Sequence, residues 1–427
     1  MKKTIKPKKA FNGVISVPGD KSISHRAVMF GSLAVGDTVI HGFLNGDDCL
    51  STVGCFKNMG IDIEMDGEKV VVHGKGLNGL NAPDETLNVG NSGTTLRLMS
   101  GILSAQKFTS HVTGDSSIQK RPMDRVAKPL ALMGADIKSG SSDKILAPVT
   151  ITGKPLKGIE YTLPVASAQV KSAILLAGLY AEGETVVIEP EATRDHTEIM
   201  LNFMGADIKK DGNKIICRPV KELYAKEITV PGDISSAAYF MVAAAASENA
   251  CITIKNVGIN PTRTGIITAL LAMGADITIS DEKLLNGEPV GDITVRSSKL
   301  KATVIEGDII PKLIDEIPVL AVAAAMAEGT TVIKDAQELK VKESNRIKTT
   351  ADELSKFGVD ITETDDGLII KGPTLMKGSA TINTHNDHRI AMSAAIASLL
   401  ADSETIIDGS ECVDISFPGF YDLLEEL

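Results

Sequence analysis

Two kinds of apolar segment alternate along the chain, and each kind recurs about every seventy residues. In the first kind, apolar residues three or four positions apart alternate with polar ones, as in MDRVAKPLALMG, and this spacing predicts an amphipathic helix. Five such segments end at a glycine followed by β-branched residues, and these are Gly60, Gly134, Gly205, Gly274 and Gly358. Glycine adopts the left-handed conformation that commonly ends a helix, so each copy predicts a helix, a turn and a strand.

The second kind of segment is rich in Ala, Leu and Met on nearly all sides. This pattern predicts a helix that is buried among other helices rather than lying on a surface. Six of these segments begin with small polar or charged residues, and markers at their starts are Ser22, Ser92, Ser167, Ser235, Asp315 and His388. Each unit therefore predicts the order strand, apolar helix, strand, amphipathic helix, strand, strand.

The repeats predict an α/β (α+β) chain of six βαβαββ repeats, three per domain around a pseudo-threefold axis, with the apolar helices at the centre. The turn VPGD occurs at Val17 and again at Val230, three repeats later. The sixth repeat ends in FPGFYDLLEEL without a further strand, so we expect the N-terminal GVISV to complete the second domain. The predicted domains are 20–229, and 1–19 together with 230–427, with hinge crossings near Asp20 and Val230.

Composition narrows the possible partners. The 427 residues carry a formal net charge of −11, which argues against nucleic acid or an anionic membrane as a partner and requires any anionic ligand to find a local basic site. The basic start MKKTIKPKK is not followed by an apolar segment, and the apolar runs are shorter than the roughly 20 residues that span a bilayer. A cytoplasmic protein is therefore expected.

Cysteine and histidine spacing gives no sign of a metal or cofactor. The five cysteines include no C-x-x-C pair, which predicts reduced thiols, and the seven histidines lack the spacing of metal ligands. Neither a P-loop nor a GxGxxG motif occurs. No metal and no cofactor are expected.

The starts of the apolar helices are the candidate anion sites, because helix N termini present unpaired N–H groups and a partial positive charge. In DKSISHR, Lys21 lies at the cap, and Ser22 and Arg26 are four positions apart on one helix face. We interpret this segment as a phosphate or carboxylate site. The second copy, GDISS, is followed by apolar residues, and we interpret it mainly as a helix cap.

Further cations and acids occur at other helix starts. They are Lys120, Arg121 and Arg125 in QKRPMDR; Lys340, Lys342, Glu343 and Arg346 in ELKVKESNRI; and His388 and Arg389 in NDHRIAM. Lys342 and Arg346 are again four positions apart, whereas surface charge is the alternative for QKRPMDR. Asp315 and Glu316 precede a strongly apolar helix, where one acid either caps the helix or acts as a general base beside the cations.

Eight segments, in this order and spacing, resemble the family of 5-enolpyruvylshikimate-3-phosphate synthase (3-phosphoshikimate 1-carboxyvinyltransferase). They are PGDKSISHR, GNSGTTLRL, KRPMDRV, VASAQVKSA, PGDISSAA, IDEIPVLA, KVKESNRI and NDHRIAM. The resemblance spans the whole chain and implies a two-domain enolpyruvyl transferase fold, an inverse α/β barrel that closes over its substrates. It implies transfer of the enolpyruvyl group of phosphoenolpyruvate to shikimate 3-phosphate in the shikimate pathway to chorismate and aromatic amino acids.

The resemblance also implies roles for individual residues. Shikimate 3-phosphate would be held by Lys21, Ser22, Arg26, Ser167, Ala168, Gln169, Arg194, Asp315 and Lys342. Phosphoenolpyruvate would be held by Lys21, Gly93, Arg121, Gln169, Arg346 and Arg389, with Asn91 and His388 as further candidates. Asp315 would be the base for the 5-hydroxyl group, and Lys21 and Glu343 would exchange protons with the enolpyruvyl group. Inhibitors of the glyphosate type would compete with phosphoenolpyruvate.

Three positions depart from the enteric type of the family. Ala168 replaces a serine, Arg194 replaces another serine, and Ile415 stands where a late lysine is common. Arg194 indicates the second subclass of the family, and Ile415 is left out of the predicted site.

Two other functions compete with this interpretation. The related UDP-N-acetylglucosamine enolpyruvyl transferase is disfavoured, because its family resembles GAKNA at the first turn and carries a cysteine in the loop that here reads TGDSSIQKRPMD. A non-catalytic repeat scaffold that binds a partner protein would explain the six units but not the charges at particular helix starts. We expect a monomer with small-molecule substrates.

Overall fold

A computed structural model of the chain describes residues 1–8, 10–140 and 144–427. Its α-helices are α1 (Lys21–Leu33), α2 (Asp47–Asn58), α3 (Gly93–Ser104), α4 (Asp124–Leu132), α5 (Ala168–Gly178), α6 (His196–Phe203), α7 (Ile234–Ala246), α8 (Gly265–Ala272), α9 (Ile310–Leu313), α10 (Ile317–Met326), α11 (Arg346–Ser355), α12 (His388–Leu399) and α13 (Phe420–Glu426). Short 3₁₀ helices cover Ile118–Lys120, Gly307–Ile309, Gln337–Val341 and Ser410–Ile415.

The strands lie between the helices in the alternating order that the repeats predict. They are β1 (Lys2–Ile5), β2 (Asn12–Ile15), β3 (Ala34–His41), β4 (Asp62–Asp66), β5 (Lys69–Lys75), β6 (Leu87–Asn88), β7 (Thr109–Thr113), β8 (Asp136–Ser139), β9 (Val149–Thr152), β10 (Glu160–Thr162), β11 (Thr185–Ile188), β12 (Asp207–Asp211), β13 (Lys214–Arg218), β14 (Leu223–Tyr224), β15 (Glu227–Thr229), β16 (Cys251–Gly258), β17 (Asp276–Leu285), β18 (Glu288–Arg296), β19 (Val304–Ile305), β20 (Gly329–Ile333), β21 (Asp360–Glu363), β22 (Leu368–Gly372), β23 (Thr381–Asn383) and β24 (Thr405–Asp408).

Among the described residues, the strands form six sheets, one for each repeat. Their orders are β14-β3-β5-β4 with β15 also beside β3, β6-β7-β9-β8, β10-β11-β13-β12, β17-β18-β16-β2, β19-β20-β22-β21 and β1-β24-β23. In β6-β7-β9-β8, for example, β6 is parallel to β7, and β9 runs antiparallel to both β7 and β8. The crossover from β6 to β7 contains α3, so a buried helix and a parallel strand pair recur together.

Two sheets are completed by strands from a distant part of the chain. β2 lies parallel to β16, so GVI of the N-terminal GVISV joins the sheet of the fourth repeat. The sixth repeat's β24 instead pairs with β1, from Lys2 to Ile5. The sequence prediction missed β1, because a short, lysine-rich segment at the chain start has the composition of a solvated terminus.

The chain divides into two compact units, which we name by their position. The N-terminal unit contains Gly19–Val230 and Leu285–Glu288, and the C-terminal unit contains Met1–Pro18, Pro231–Leu284 and Pro289–Leu427. Each unit has its own hydrophobic core and three of the six sheets. A feature that the sequence did not predict is that the β17–β18 hairpin belongs to the C-terminal unit while its tip, Leu285–Glu288, belongs to the N-terminal unit.

The apolar helices lie inside their units, as their composition predicts. In the N-terminal unit, α3 packs against both α1 and α5, and in the C-terminal unit α7, α10 and α12 pack pairwise against one another. Every residue of α10 except Met326 is buried, which explains why this helix has no polar face. The N termini of these central helices carry the candidate site residues.

The five repeated glycines have the predicted backbone conformation. Their φ angles are all positive, from +81° at Gly358 to +104° at Gly134. Gly60, Gly134, Gly205 and Gly274 each lie two residues after the last helical residue, and Gly358 lies one residue later in its turn. The turn redirects the chain into the strand that follows each amphipathic helix.

None of the helices within the described residues combines the length and apolar character that a membrane crossing requires.

Candidate active site

The start of α1 places three predicted residues of the N-terminal unit together. Asp20 caps the helix by accepting a hydrogen bond from the Ile23 backbone N–H at 2.9 Å, which fixes the direction in which the helix begins. Lys21, the first helical residue, forms an ion pair with the nearly buried carboxylate of Asp48. Ser22 follows, and its carbonyl oxygen accepts a hydrogen bond from Arg26 Nη1 at 3.0 Å.

Arg26 is buried and held by hydroxyl groups from two other helices. Its Nε donates to Thr197 Oγ1 at 2.7 Å and its Nη2 to Ser172 Oγ at 3.0 Å. Burial lowers the pKa of Arg26 to about 10, because the charged guanidinium loses much of its hydration. Glu198 and Asp20 oppose this change electrostatically, whereas the nearby Arg194 adds to it. The group is therefore still cationic at neutral pH.

The start of α3 forms a second cluster in the same unit. Gly93 is its first residue, and a Cβ atom there would lie 2.8 Å from Arg97 Nη1 and 3.3 Å from Arg121 Nη1. Arg121 Nη2 donates to Asn91 Oδ1 at 3.2 Å, and Arg97 Nη1 donates to Gln169 Oε1 at 2.6 Å. Two guanidinium groups thus lie against a helix start that has no side chain in the way, which suits close approach of an anion.

The start of α5 adds the third helix N terminus. Ser167 is the N-cap residue, and its Oγ accepts a hydrogen bond from the Val170 N–H at 3.5 Å. Ala168 and Gln169 follow, and Gln169 Nε2 donates to Thr94 Oγ1 at 3.0 Å, so α3 and α5 are joined through Gln169. Arg194 lies in the segment between β11 and α6.

Arg346 organises the candidate residues of the C-terminal unit. Its side chain is 1% exposed and contacts three carboxylates. Asp387 is bound by two guanidinium nitrogens, at 2.8 Å and 3.1 Å, Asp315 Oδ1 lies 3.2 Å from Nη1, and Glu343 Oε2 pairs with Nη2. Burial by itself lowers the pKa of Arg346, but Asp387, Glu343 and Asp315 outweigh it and raise that pKa above its ordinary value.

Asp315 receives a second cation and lies beside a third. Lys342 Nζ is 3.2 Å from the same Oδ1 atom that Arg346 contacts. Arg389 Nη1 donates to the Asp315 backbone carbonyl at 3.1 Å, and it lies 3.7 Å from Glu316 Oε1. Two cations, Lys342 and Arg346, therefore contact the Asp315 carboxylate, and Arg389 contacts its backbone carbonyl.

Lys342 and Arg346 are four positions apart in sequence but do not share a helix. α11 begins only at Arg346, with Asn345 as its N-cap, so Lys342 precedes the helix. The two side chains nevertheless meet, because both reach Asp315. His388 is the first residue of α12 and is buried, and Asp387 caps that helix by accepting from the Arg389 N–H at 3.0 Å.

Three charged residues that the sequence singled out lie on the surface. Lys120, Arg125 and Lys340 are exposed. Ile415 ends a 3₁₀ helix and packs against the core of the C-terminal unit. Asp233 caps α7, as the interpretation of GDISS predicts, by accepting from the Ser235 N–H at 2.8 Å.

Arg97 and Asp387 are among the cluster residues that sequence reasoning missed. Arg97 follows Gly93 by four positions, the same separation as Ser22 and Arg26, so spacing alone could have found it. Asp387 binds Arg346 across 41 positions of sequence. Burial favours its neutral form, but Arg346 outweighs burial and keeps the pKa of Asp387 below its ordinary value.

One group of described residues could hold a metal ion, although sequence spacing did not indicate it. Asp62, Glu64 and His73 place one ligand atom each within 4.8 Å of one another. Strand pairing brings them together, because Asp62 and His73 are direct partners in β4 and β5. His73 Nδ1 is also 2.8 Å from Asp37 Oδ1. Hydrogen bonds to Asp37 and Glu64 raise the pKa of His73 above its ordinary value.

Six repeated sheets with cations at the starts of buried helices define a protein of the two-domain enolpyruvyl transferase class. A sequence model described as EPSP synthase (3-phosphoshikimate 1-carboxyvinyltransferase) matches residues 5–424. The chain belongs to the EPSP synthase family.

Individual relatives are similar over their whole length. The chain is 56% identical, over 99% of both chains, to a 3-phosphoshikimate 1-carboxyvinyltransferase of Thermoanaerobacter sp. (strain X514). It is 55% identical, over 100% of this chain and 99% of the other, to one of Bacillus thuringiensis subsp. konkukian (strain 97-27). A solved structure of EPSP synthase from Acinetobacter baumannii superposes with a TM-score of 0.89 at 52% identity, covering 100% of this chain and 98% of the other.

Proposed function

We propose that the protein transfers the enolpyruvyl group of phosphoenolpyruvate to the 5-hydroxyl group of shikimate 3-phosphate and releases inorganic phosphate. This is the step of the shikimate pathway that precedes chorismate and the aromatic amino acids. The observation that carries the proposal is the full-length similarity, at 56% identity, to a protein named for this activity. The cation clusters support it, because each substrate has one phosphate and one carboxylate group to be bound.

The N-terminal unit supplies most of the proposed contacts to shikimate 3-phosphate. The phosphate and carboxylate groups of shikimate 3-phosphate are bound by Arg194 and by residues at the starts of α1 and α5. The latter are Lys21, Ser22, Arg26, Ser167, Ala168 and Gln169. The C-terminal unit adds Asp315 and Lys342. Helix N–H groups and charged side chains act together here, since both favour a dianion.

Phosphoenolpyruvate binds the cations around Gly93 and Arg346 in this proposal. Lys21, Gly93, Arg121 and Gln169 belong to the N-terminal unit, and Arg346 and Arg389 belong to the C-terminal unit. Asn91 orients Arg121 through the 3.2 Å hydrogen bond, and His388 is a further candidate ligand for phosphate. The side chains of Lys21, Arg121, Arg346 and Arg389 balance the negative charge of phosphoenolpyruvate.

The reaction proceeds by addition and then elimination. Asp315 removes the proton of the 5-hydroxyl group, whose oxygen attacks C2 of phosphoenolpyruvate, while the C3 methylene gains a proton to become a methyl group. In the elimination, the methyl group loses a proton and the C2–O bond to phosphate breaks, which restores the double bond. Lys21 and Glu343 carry these protons, and the cations stabilise the negative charge that develops on the leaving phosphate.

We also propose the larger-scale features of this mechanism. One domain is 20–229, and the other is 1–19 together with 230–427. The two domains move about hinges near Asp20 and Val230. Closure of the domains lets the cations of both act on the same substrates. The protein works as a cytoplasmic monomer. Sedimentation of the purified protein tests the last point, and a stable dimer would contradict it.

The test of the activity is release of inorganic phosphate from shikimate 3-phosphate and phosphoenolpyruvate by the purified protein. We expect phosphate and the enolpyruvyl product, identified by mass, in equal amounts. Replacing shikimate 3-phosphate by UDP-N-acetylglucosamine is the control for the related transferase and should give no phosphate. Absence of turnover with both shikimate 3-phosphate and phosphoenolpyruvate would contradict the proposal.

A further inference from the structure

Lys171 is a fully buried cation for which the proposed chemistry has no use. It lies in α5, two residues after Gln169, and its side chain is 1% exposed. Its Nζ lies 2.9 Å from Glu189 Oε1 and 2.7 Å from Glu198 Oε1. A charge buried this deeply is costly unless it is closely paired, so its partners show what it holds in place.

Those partners fix both ends of the segment that carries Arg194. Lys171 Nζ donates to the Thr193 backbone carbonyl at 3.4 Å, and Glu189 Oε1 accepts hydrogen bonds from the Thr193 N–H at 3.1 Å and from its hydroxyl group. Glu189 follows β11, and Glu198 lies in the first turn of α6. One ammonium group thus connects α5, the segment after β11 and the start of α6, with Thr193 immediately before Arg194.

The residues next to Lys171 and Glu198 hold Arg26. Ser172 follows Lys171, Thr197 precedes Glu198, and their hydroxyl groups are 2.7 Å apart. Each of these hydroxyl groups accepts a hydrogen bond from the Arg26 guanidinium. The Lys171 ion pairs therefore fix the distance between the two helices whose side chains orient Arg26.

We propose that Lys171 is a positioning residue that sets Arg26 and Arg194 at the spacing needed to bind shikimate 3-phosphate. The inference rests on the proposed function, because it takes Arg26 and Arg194 as ligands of that substrate. Lys171 itself touches no substrate. Its effect passes through Thr193 to Arg194, and through Ser172 and Thr197 to Arg26.

The Lys171→Met substitution tests this proposal, because methionine keeps much of the length of lysine but cannot pair with the two carboxylates. We expect the KM for shikimate 3-phosphate to rise by about 10-fold to 100-fold, since small displacements of binding groups cost this much. The KM for phosphoenolpyruvate should change little. Lys154→Met is the matched control, because Lys154 pairs with Asp136 in the same unit but is 48% exposed, and both KM values should stay unchanged.

A milder variant covers the case in which Lys171→Met fails to fold. Thr193→Val removes only the hydroxyl group that donates to Glu189 and leaves the backbone hydrogen bond in place. We expect the KM for shikimate 3-phosphate to rise about fivefold, the size expected from one lost hydrogen bond. The KM for phosphoenolpyruvate again serves as the internal reference.

The possible outcomes separate this inference from the proposed function. A folded Lys171→Met protein with an unchanged KM for shikimate 3-phosphate, or with equal changes in both KM values, would overturn the positioning role. If Lys171→Met does not fold, an unchanged KM in Thr193→Val would do the same. A wild-type protein without turnover would contradict the proposed function, and calorimetric titration with shikimate 3-phosphate alone would then decide whether Lys171→Met weakens binding.

Discussion

At the scale of single residues, the candidate site depends on Arg346, which binds Asp315 and Asp387, two acids far away in sequence. The sequence singled out Arg346, Asp315 and Glu343 from their positions near helix starts. It could not show that Asp387 binds the same guanidinium, because which acid meets a buried cation is decided by the packing of α11 against α12. Spacing therefore predicts candidate residues, and only the tertiary structure pairs them.

Asp315→Asn is expected to reduce turnover without unfolding the protein. Asparagine has the same shape but cannot accept the proton of the 5-hydroxyl group, so kcat should fall by about 10²-fold to 10⁴-fold, the usual contribution of a general base. Phosphate release measures the effect. Asp308→Asn is the control, because Asp308 is 84% exposed and pairs with Lys312. Full activity of a folded Asp315→Asn protein would refute the assignment of the base.

Gly93→Ala is expected to weaken binding of phosphoenolpyruvate more than that of shikimate 3-phosphate. The new methyl group would lie 2.8 Å from Arg97 Nη1 and 3.3 Å from Arg121 Nη1, so both flexible guanidinium groups must move. A displaced cation of this kind should raise the KM for phosphoenolpyruvate by about 10-fold. Steady-state kinetics with each substrate varied separately would show this difference, and equal KM values in the variant and the wild type would count against a site at Gly93.

His25 should make the protein less stable in mild acid. Burial, with Lys21 and Arg26 nearby, keeps its pKa well below the ordinary value of 6.5. The unfolded chain therefore binds a proton at this residue below about pH 6.5 and the folded chain does not, so stability falls as pH falls, by up to about 1.4 kcal/mol per pH unit. Urea unfolding of wild type and His25→Gln at pH 7.5 and 5.5 measures this dependence, which should be weaker in the variant. The same dependence in both proteins would exclude His25 as its source.

At the scale of secondary structure elements, the glycine repeats were the most informative part of the sequence. All five predicted turns have positive φ angles, because the local chemistry of a helix end hardly depends on the rest of the fold. Strand partners were harder to predict. β14 and β15, near the end of the N-terminal unit in sequence, pair with β3, near its start. Such long-range pairing leaves no local signal in the sequence.

Two glycine substitutions should have opposite effects on stability. Gly54 lies inside α2 and is exposed, and a methyl group there would meet no atom within 4 Å. Gly54→Ala should therefore raise the free energy of unfolding by about 0.5–1 kcal/mol. Gly134 has a φ angle of +104°, which alanine adopts with difficulty, so Gly134→Ala should lower it by about 1–2 kcal/mol. Urea unfolding measures both, and a stabilising Gly134→Ala would contradict the structural role of the turn.

At the scale of the whole molecule, we expect the dimensions of the protein in solution to decrease when both substrates bind. The proposed ligands of each substrate come from both units, so binding energy favours conformations in which both sets make contact. X-ray scattering measures the radius of gyration of Asp315→Asn, which should bind the substrates but consume them about 10²-fold to 10⁴-fold more slowly. Addition of sulfate is the control for a general effect of anions. An unchanged radius with both substrates would contradict closure.

The tip of the β17–β18 hairpin limits how this chain can be divided experimentally. Within the N-terminal unit, Asn286 Nδ2 of the tip donates to the Thr229 carbonyl at 2.8 Å. Glu288 Oε1 lies 2.7 Å from His196 Nδ1, and the side chains of Glu288 and His196 are both buried. A fragment that ends at Val230 would lose these contacts beside Thr197 and Arg26. Expression of residues 19–230 alone therefore yields an incomplete unit, and a minimal autonomous fragment has to carry a grafted copy of the four-residue tip.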